Sequence, residues 1–191
     1  MKTYKNKTRK NQKNVFTENH FKSGDGMLTT VWGPGAWHFL HTVSFNYPVE
    51  PTLQDKIHYR NFILSLKYVL PCGKCRSNLF KNFKKLPLRM SDMKSRHTFS
   101  LYIYNLHELI NDMLCKKSGL SYEDVKIRYE NFRARCKQPV SLNKTVKKKI
   151  ENGCTEPIRG EKSKCILKIV PVTKKCDTFQ IEEKCLQRRI E

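Results

Sequence analysis

Apolar residues between positions 31 and 136 recur mainly at helical spacing. In the run that opens at Thr52 and stops at Pro71, apolar side chains stand at i, i+3, i+4 and i+7, the spacing of one helix face. A second stripe of this kind runs from Ser95 to about Lys116. The pattern therefore predicts two amphipathic helices. Their apolar positions are Tyr59, Phe62, Ile63, Leu66 and Val69 in the first, and Phe99, Tyr102, Ile103, Leu106, Ile110, Met113 and Leu114 in the second.

Three shorter helices are predicted to begin at Pro34, Cys72 and Ser121. Proline suits the first turn of a helix because its missing N–H is not needed there, and Ser121 opens a capping-box variant. Five helices with short connections favour an all-α, antiparallel bundle: four main helices and a short fifth. The inward positions are Trp37, His41 and Ser44 in the first of the three, and Val125, Tyr129 and Phe132 in the last.

The distribution of aromatic residues divides the chain into three segments. Residues 31–136 hold most of the aromatic side chains and are predicted to form the packed domain. Residues 1–30 are predicted to be a basic, flexible N-terminal arm, and residues 137–191 a basic, cysteine-containing C-terminal extension. Within the extension, Cys165–Val172 is predicted to be an isolated extended stretch.

The charge and hydropathy of the chain limit the kinds of partner that it can bind. The chain has 191 residues, and 38 Lys and Arg against 17 Asp and Glu give a net charge of +21, which attracts polyanions. With no nucleic-acid motif and basic residues in every segment, we expect simple solvation or weak nonspecific polyanion binding. No apolar run reaches the roughly 18 residues of a membrane helix, and the polar, basic start predicts no secretory signal.

The sharpest local signal is the pair Cys72 and Cys75. Eight cysteines without a secretory signal argue against a disulfide scaffold and indicate redox or metal chemistry. Two thiols at i and i+3 in the first turn of a helix can form an easily reduced disulfide, with Lys74 and Arg76 near the thiolates. Half of a zinc site is the alternative, and it lacks a second ligand pair. A thioredoxin-like fold is disfavoured because the preceding run is helical.

Two further clusters have both a functional and a structural interpretation. The aromatic and imidazole side chains between Trp32 and His41 could wall a flat ring system, although tryptophan at helical spacing is more often core. His107 and Asn111, four residues apart beside an apolar stripe, could hydrogen-bond a buried ligand, although a core histidine is the commoner explanation.

The order of these motifs resembles the Erv/Alr family of FAD-dependent sulfhydryl oxidases. The resemblance covers about 100 residues and implies a four-helix bundle with a short fifth helix that binds FAD, usually as a homodimer. The matching elements are Trp32 to His41, Tyr47-Pro48, Pro71 to Cys75, and His107 to Lys116.

The resemblance also implies roles for single residues. Cys75 would be the flavin-proximal thiol and Cys72 the outer thiol, which exchanges with a dithiol protein substrate or a thioredoxin-like shuttle. Electrons would pass through FAD to oxygen and give hydrogen peroxide. The expected cofactor contacts are Gly33, Trp37, His41, Tyr47, His107, Asn111, Lys116 and Tyr129.

Several positions depart from the family pattern. Glu108 stands where an asparagine is usual, Tyr102 replaces a common tryptophan, and Tyr104 replaces a structural cysteine, which leaves Cys115 and Cys136 uncommitted. The composition is closer to the versions from large DNA viruses than to the mitochondrial ones. The expected location is therefore the host cytoplasm or the virion, with the mitochondrial intermembrane space as the alternative.

The cysteines of the extension leave more than one interpretation open: a shuttle dithiol, two structural disulfides, or a zinc site with four thiolates. These cysteines are Cys154, Cys165, Cys176 and Cys185. For the whole chain, the alternatives to a thiol oxidase are a non-enzymatic basic protein that binds zinc and nucleic acid, and an inactive bundle, which Glu108 alone supports.

Overall fold

The computed structural model describes residues 16–137, 153–158, 160–176 and 180–185. These residues form helices and one short antiparallel strand pair, so the all-α prediction is confirmed for the domain, while the strands were not predicted. In chain order the elements are α1 (Glu18–Lys22), α2 (Thr29–Phe45), α3 (Leu53–Val69), α4 (Gly73–Lys85), a 3₁₀ turn (Met90–Met93), α5 (Arg96–Met113), α6 (Tyr122–Glu130), β1 (Ala134–Lys137), β2 (Gly153–Pro157) and a 3₁₀ turn (Glu183–Cys185).

Polar caps fix the starts of three helices. The side chains of Thr52, Ser95 and Ser121 each accept a hydrogen bond from the backbone N–H three residues later. Each bond satisfies one of the donors that a helix start leaves unpaired. The predicted starts of α3, α5 and α6 are therefore confirmed.

Helix α2 begins earlier than predicted. It starts at Thr29, and Pro34 lies inside the helix rather than in its first turn. The backbone N–H groups of Val31 and Trp32 both donate to the Leu28 carbonyl, so the helix is already formed before the proline. Both α1 and the first two residues of α2 thus lie in the segment that was assigned to the arm.

The core lies between α2, α3, α4 and α5. Helix α2 packs against α5 and α6, α3 packs against α4, and the turn Met90–Met93 contacts α3 and α5. Burial of apolar side chains between these elements is the main contribution to the stability of the fold. The buried cluster consists of Leu40, Tyr47, Ile63, Leu79, Phe83, Leu88, Met93, Phe99, Tyr102, Ile103 and Leu106.

Cys115 has a structural position at the end of α5. The residue adopts φ = 54°, its N–H donates to the Asp112 carbonyl, and the N–H of Lys116 donates to the Asn111 carbonyl. These two bonds form a Schellman motif, which satisfies carbonyls at the end of a helix. The helix ends at Met113, somewhat before the predicted Lys116, because this motif terminates it.

The extension is described in part. Strand β2 pairs with β1, Cys154 is disulfide-bonded, and Cys165, Cys176 and Cys185 are free. No strand is assigned to Cys165–Val172, which was predicted to be extended. Residues 1–15 of the predicted arm, much of the extension and the side chain of Cys136 lie outside the described residues.

Within the described ranges, no helix is long and apolar enough to cross a membrane. No three His, Cys, Asp or Glu side chains in these ranges converge as metal ligands would.

Phe99→Ala is expected to lower the free energy of unfolding by about 3–5 kcal/mol. Phe99 is 0% exposed and packs against the rings of Tyr47 and Tyr59, so truncation leaves a cavity. Urea denaturation followed by far-UV circular dichroism measures the change. Tyr68→Ala is the control, because Tyr68 is 69% exposed and its loss should cost about 0.5 kcal/mol or less. Equal costs for the two variants would contradict this account of the core.

Candidate redox site

Cys72 and Cys75 form a disulfide at the start of α4. Their Cα atoms are 5.2 Å apart. Cys72 is the N-cap residue, and its sulfur accepts a hydrogen bond from the Cys75 N–H at 3.2 Å. The disulfide predicted from the spacing is therefore formed, and a helix N-terminus lies next to it.

Two hydrogen bonds to the Leu70 carbonyl stabilise the turn before the disulfide. The N–H of Cys72 donates to the Leu70 carbonyl at 2.8 Å, and Arg76 Nη1 donates to the same carbonyl at 2.6 Å. The Arg76 side chain therefore has a structural role, because it hydrogen-bonds to the backbone just before the disulfide. Pro71 carries no N–H, so α3 cannot continue into the motif.

Residues before α2 also contact the motif. The Met27 N–H donates to the Pro71 carbonyl at 2.7 Å, and Thr29 Oγ1 lies 3.6 Å from Cys75 Sγ. No local sequence pattern predicts these contacts, because they join positions more than forty residues apart. They extend the site to the segment that precedes the predicted domain.

A second group of side chains lies between α2, α5 and α6. His41 Nε2 and His107 Nδ1 are 3.0 Å apart and share a hydrogen bond. The Trp37 ring stacks on the His107 ring, with centroids 3.9 Å apart and an interplanar angle of 8°. The Tyr129 ring lies 5.3 Å from the His41 ring, and the Tyr129 hydroxyl is 3.3 Å from His38 Nδ1. We call Trp37, His38, His41, His107 and Tyr129 the imidazole cluster.

Burial keeps the imidazole cluster uncharged. Burial, with His107 and His38 adding to it, lowers the pKa of His41 to about 3. Burial likewise lowers the pKa of His107 to about 4, although Glu108 acts in the opposite direction. Burial also raises the pKa of Tyr129 to about 12. Near pH 7 the cluster can therefore give and accept hydrogen bonds without carrying charge.

One polar atom of the cluster has no partner in the described structure. His41 Nδ1 is buried and makes no hydrogen bond there, although His41 is only 4% exposed. An unpaired buried polar atom costs about 1–3 kcal/mol, so such atoms normally have partners. The atom is thus available to a ligand.

The cofactor contacts named from the resemblance have different positions in the structure. Four of these residues lie together in the imidazole cluster: Trp37, His41, His107 and Tyr129. A fifth, Asn111, lies on α5 with His107, and its Nδ2 donates to Glu108 Oε1 at 2.9 Å. These contacts stay predictions. Gly33 lies in α2, and Lys116 lies just beyond α5.

Tyr47 is packed in the core. It is 0% exposed, and its hydroxyl donates to the Met93 carbonyl at 2.9 Å. In the described structure Tyr47 thus has a packing role, and its assignment as a cofactor contact also stays a prediction. No role was predicted from the sequence for His38 or Thr29. His38 could have been found, because it stands three residues before His41 on α2, a spacing that puts both on one side of the helix.

Comparison with known proteins places these features in a family. The sequence pattern of the Erv1 / Alr family matches residues 34–130, from Pro34 in α2 to the last residue of α6. The chain belongs to the Erv1 / Alr family. The predicted resemblance is therefore confirmed, and the Cys72–Cys75 disulfide and the imidazole cluster both lie within the matched residues.

Similar proteins include two from large DNA viruses. A protein of Acanthamoeba polyphaga mimivirus named "Probable FAD-linked sulfhydryl oxidase" is 40% identical over 91 residues, which cover 48% of this chain and 64% of that protein. An African swine fever virus protein named "FAD-linked sulfhydryl oxidase" is 29% identical over 99 residues, 52% of this chain and 80% of that protein. The crystal structure of the yeast Erv1 core superposes with a TM-score of 0.49 at 21% identity, covering 62% of this chain and 96% of that one.

The neutral histidine pair predicts a loss of stability on acidification. Below pH 6.5 the unfolded chain binds protons at both histidines, whereas the folded chain does not until pH approaches 4. Stability should therefore fall by about 1.6 kcal/mol per histidine between pH 6.5 and 5. His107→Gln should reduce this fall by about half, as measured by urea denaturation at both pH values.

The control for that measurement is His58→Gln, at an exposed position on α3. It should keep the pH dependence of the wild type. If His107→Gln also keeps it, the buried pair is not the source of the acid sensitivity.

Proposed function

We propose that this protein is an FAD-linked thiol oxidase that forms disulfide bonds in dithiol protein substrates. The observation that carries the proposal is the Cys72–Cys75 disulfide at the start of α4, in a chain of the Erv1 / Alr family. The names of the viral relatives support the activity and the cofactor. Because the match covers 64% of the mimivirus protein, the substrates and partners of the full proteins are part of the proposal.

Thiol–disulfide exchange at the motif accounts for the first half of the reaction. A substrate thiolate attacks Cys72 Sγ, the Cys72–Cys75 bond breaks, and Cys75 leaves as a thiolate. A second substrate thiolate then attacks the substrate sulfur of the mixed disulfide, and Cys72 leaves. The substrate gains one disulfide and gives up two electrons, which reside on Cys72 and Cys75 as a dithiol.

The imidazole cluster suits the cofactor. The unpaired His41 Nδ1, the flat faces of Trp37 and Tyr129, and the absence of charge on both histidines fit a planar heteroaromatic ligand. Trp37 lies about 12 Å along α2 from Thr29, which contacts the disulfide, and this separation suits an elongated dinucleotide. When bound here, FAD would supply two-electron redox chemistry to the dithiol of Cys72 and Cys75, with oxygen as the final acceptor and hydrogen peroxide as the product.

The chain's own residues would hold and orient that cofactor. His41 and His107 offer hydrogen bonds without charge, and the Trp37 ring fixes the plane of His107. Glu108 occupies one donor of the Asn111 amide, so Asn111 has one fewer hydrogen bond to offer a ligand. The remaining proposed contacts are Gly33, Lys116 and Tyr129.

The proposal includes partners and a location. The direct partners are dithiol proteins or a thioredoxin-like shuttle, with oxygen as the final acceptor. The similarity to mimivirus and African swine fever virus proteins supports a viral origin, and with it a role in the host cytoplasm or the virion.

A homodimer is also part of the proposal. Phe39 of α2 and Phe62 of α3 meet edge to face, with ring centroids 6.2 Å apart, yet they are 56% and 37% exposed. Val69, seven residues after Phe62 and hence on the same side of α3, is 66% exposed. An apolar surface of this kind supports association with a second copy.

Cys75→Ser is expected to reduce oxygen uptake with dithiothreitol to the background rate, because position 72 then has no disulfide partner at position 75 to accept electrons. The visible flavin band of the purified protein should persist, since the imidazole cluster is intact. An oxygen electrode and an absorption spectrum measure the two quantities.

Cys115→Ser serves as the matched control, because Cys115 is a free, exposed cysteine outside the motif. It should retain wild-type oxygen uptake. A colourless wild-type protein that gains no activity after FAD reconstitution, or full uptake by Cys75→Ser, would reject the proposed function.

Phe39→Glu is expected to convert the dimer into a monomer, because the new carboxylate would have to lose its water at the apolar contact. Size-exclusion chromatography with light scattering gives the mass. Ile127→Glu, at a 48% exposed position on α6, is the control and should leave the dimer intact. A wild-type monomer would refute this part of the proposal.

A further inference from the structure

The segment before α2 lies directly against the redox motif. A Cβ atom placed on Gly26 would lie 2.8 Å from the Pro71 carbonyl oxygen and 3.1 Å from Cys72 Cα. The 2.8 Å distance to a backbone oxygen is too short for a Cβ atom and the 3.1 Å distance is tight, so a side chain at this position would displace the segment. The neighbouring Met27 N–H donates to the same Pro71 carbonyl at 2.7 Å. Backbone contacts thus fix the segment beside Cys72.

The same segment is fixed to the first turn of α2. Trp32 Nε1 donates to the Met27 carbonyl at 3.1 Å, and the Trp32 N–H donates to the Leu28 carbonyl at 3.3 Å. Hydrogen bonds at Met27 and at Trp32, on either side of Thr29, therefore fix the position of this first residue of α2. Its Oγ1 lies 3.6 Å from Cys75 Sγ, within hydrogen-bond distance for sulfur.

The direction of this hydrogen bond follows from the chemistry. Cys75 is in a disulfide and carries no proton on sulfur, so the Thr29 hydroxyl is the donor. Cys72 Sγ has a different donor, the Cys75 N–H. Each sulfur of the disulfide thus has its own hydrogen-bond donor, and they come from different parts of the chain.

We propose that Thr29 is a further catalytic residue, whose hydroxyl stabilises the Cys75 thiolate when substrate attack on Cys72 releases it. In that step the substrate sulfur bonds to Cys72 Sγ, and the electron pair of the broken bond goes to Cys75 Sγ. A hydrogen bond to a thiolate is stronger than one to a disulfide sulfur, so Thr29 favours the product of this step. A better stabilised leaving thiolate also leaves faster.

This role is a feature of the chain's own N-terminal segment. The family match begins at residue 34, after Gly26, Met27 and Thr29. The inference rests on the proposed function only in that Cys72 is the attacked sulfur. The contact itself requires neither cofactor nor oxygen.

The test measures the Cys75 thiolate directly. In a Cys72→Ser background Cys75 is the sole thiol of the motif, and serine keeps an N-cap residue at position 72. The rate of iodoacetamide alkylation at Cys75 is followed against pH, with the labelled site identified by fragmentation mass spectrometry. Thr29→Val should move the midpoint upward by about one pH unit, or slow alkylation about tenfold at a pH below both midpoints.

Two controls separate the hydroxyl from other causes. Thr29→Ser keeps the donor and should keep the midpoint, and Thr30→Val makes the same change at the next, exposed position and should do likewise. The charged side chains next to Cys75 in the motif, Lys74 and Arg76, and Asp25 beside Gly26 are present in all of these variants. An unchanged midpoint in Thr29→Val would overturn the inference.

A second pair of variants tests the segment that positions Thr29. Gly26→Ala must displace the segment from Pro71, so it should raise the Cys75 midpoint as Thr29→Val does. Gly24→Ala is the matched control, because a Cβ at Gly24 meets nothing within 4 Å. Equal midpoints for the two glycine variants would contradict the positioning of Thr29 by Gly26.

The outcomes also distinguish the inference from the proposed function. If Thr29→Val shifts alkylation but the protein takes up no oxygen with dithiothreitol, the inference stands and the thiol oxidase proposal fails. If oxygen uptake is normal and Thr29→Val shifts nothing, the inference alone fails.

Discussion

The packing of α2 against α5 is the constraint on which both parts of the site depend. It brings His41 Nε2 within 3.0 Å of His107 Nδ1, across 66 positions of sequence. In this buried place neither imidazole takes up a proton near pH 7, because burial removes the water that would stabilise the charged form and so lowers both pKa values. The same helix begins at Thr29, so its placement also fixes the hydroxyl next to Cys75.

The environment of the disulfide and that of the imidazole cluster differ in how they treat charge. At the disulfide, hydrogen-bond donors come from the α4 backbone and from Thr29, and they suit a sulfur that gains negative charge. At the imidazole cluster, charge is excluded by burial, and one unpaired atom, His41 Nδ1, remains for a ligand. Helix α2 thus carries both the hydroxyl that donates to the Cys75 sulfur and part of the neutral, buried imidazole cluster.

Departures from the family pattern have identifiable local consequences. Glu108 accepts a hydrogen bond from Asn111, and the Tyr104 hydroxyl donates to the Leu120 carbonyl, which ties α5 to the loop before α6. Cys115 forms the αL residue that ends α5. These positions therefore have partners or backbone roles of their own.

Local patterns in the sequence were enough to predict three helix starts, the Cys72–Cys75 disulfide and the family. Helix starts at Thr52, Ser95 and Ser121 could be predicted because a cap acts on a backbone N–H only three residues away. The Cys72–Cys75 disulfide could be predicted because both residues lie in one turn. Three features required the folded structure: the extension of α2 back to Thr29, the burial of Tyr47, and the β1–β2 pair. These features depend on which distant segments pack together, and no signal within a few residues records that choice.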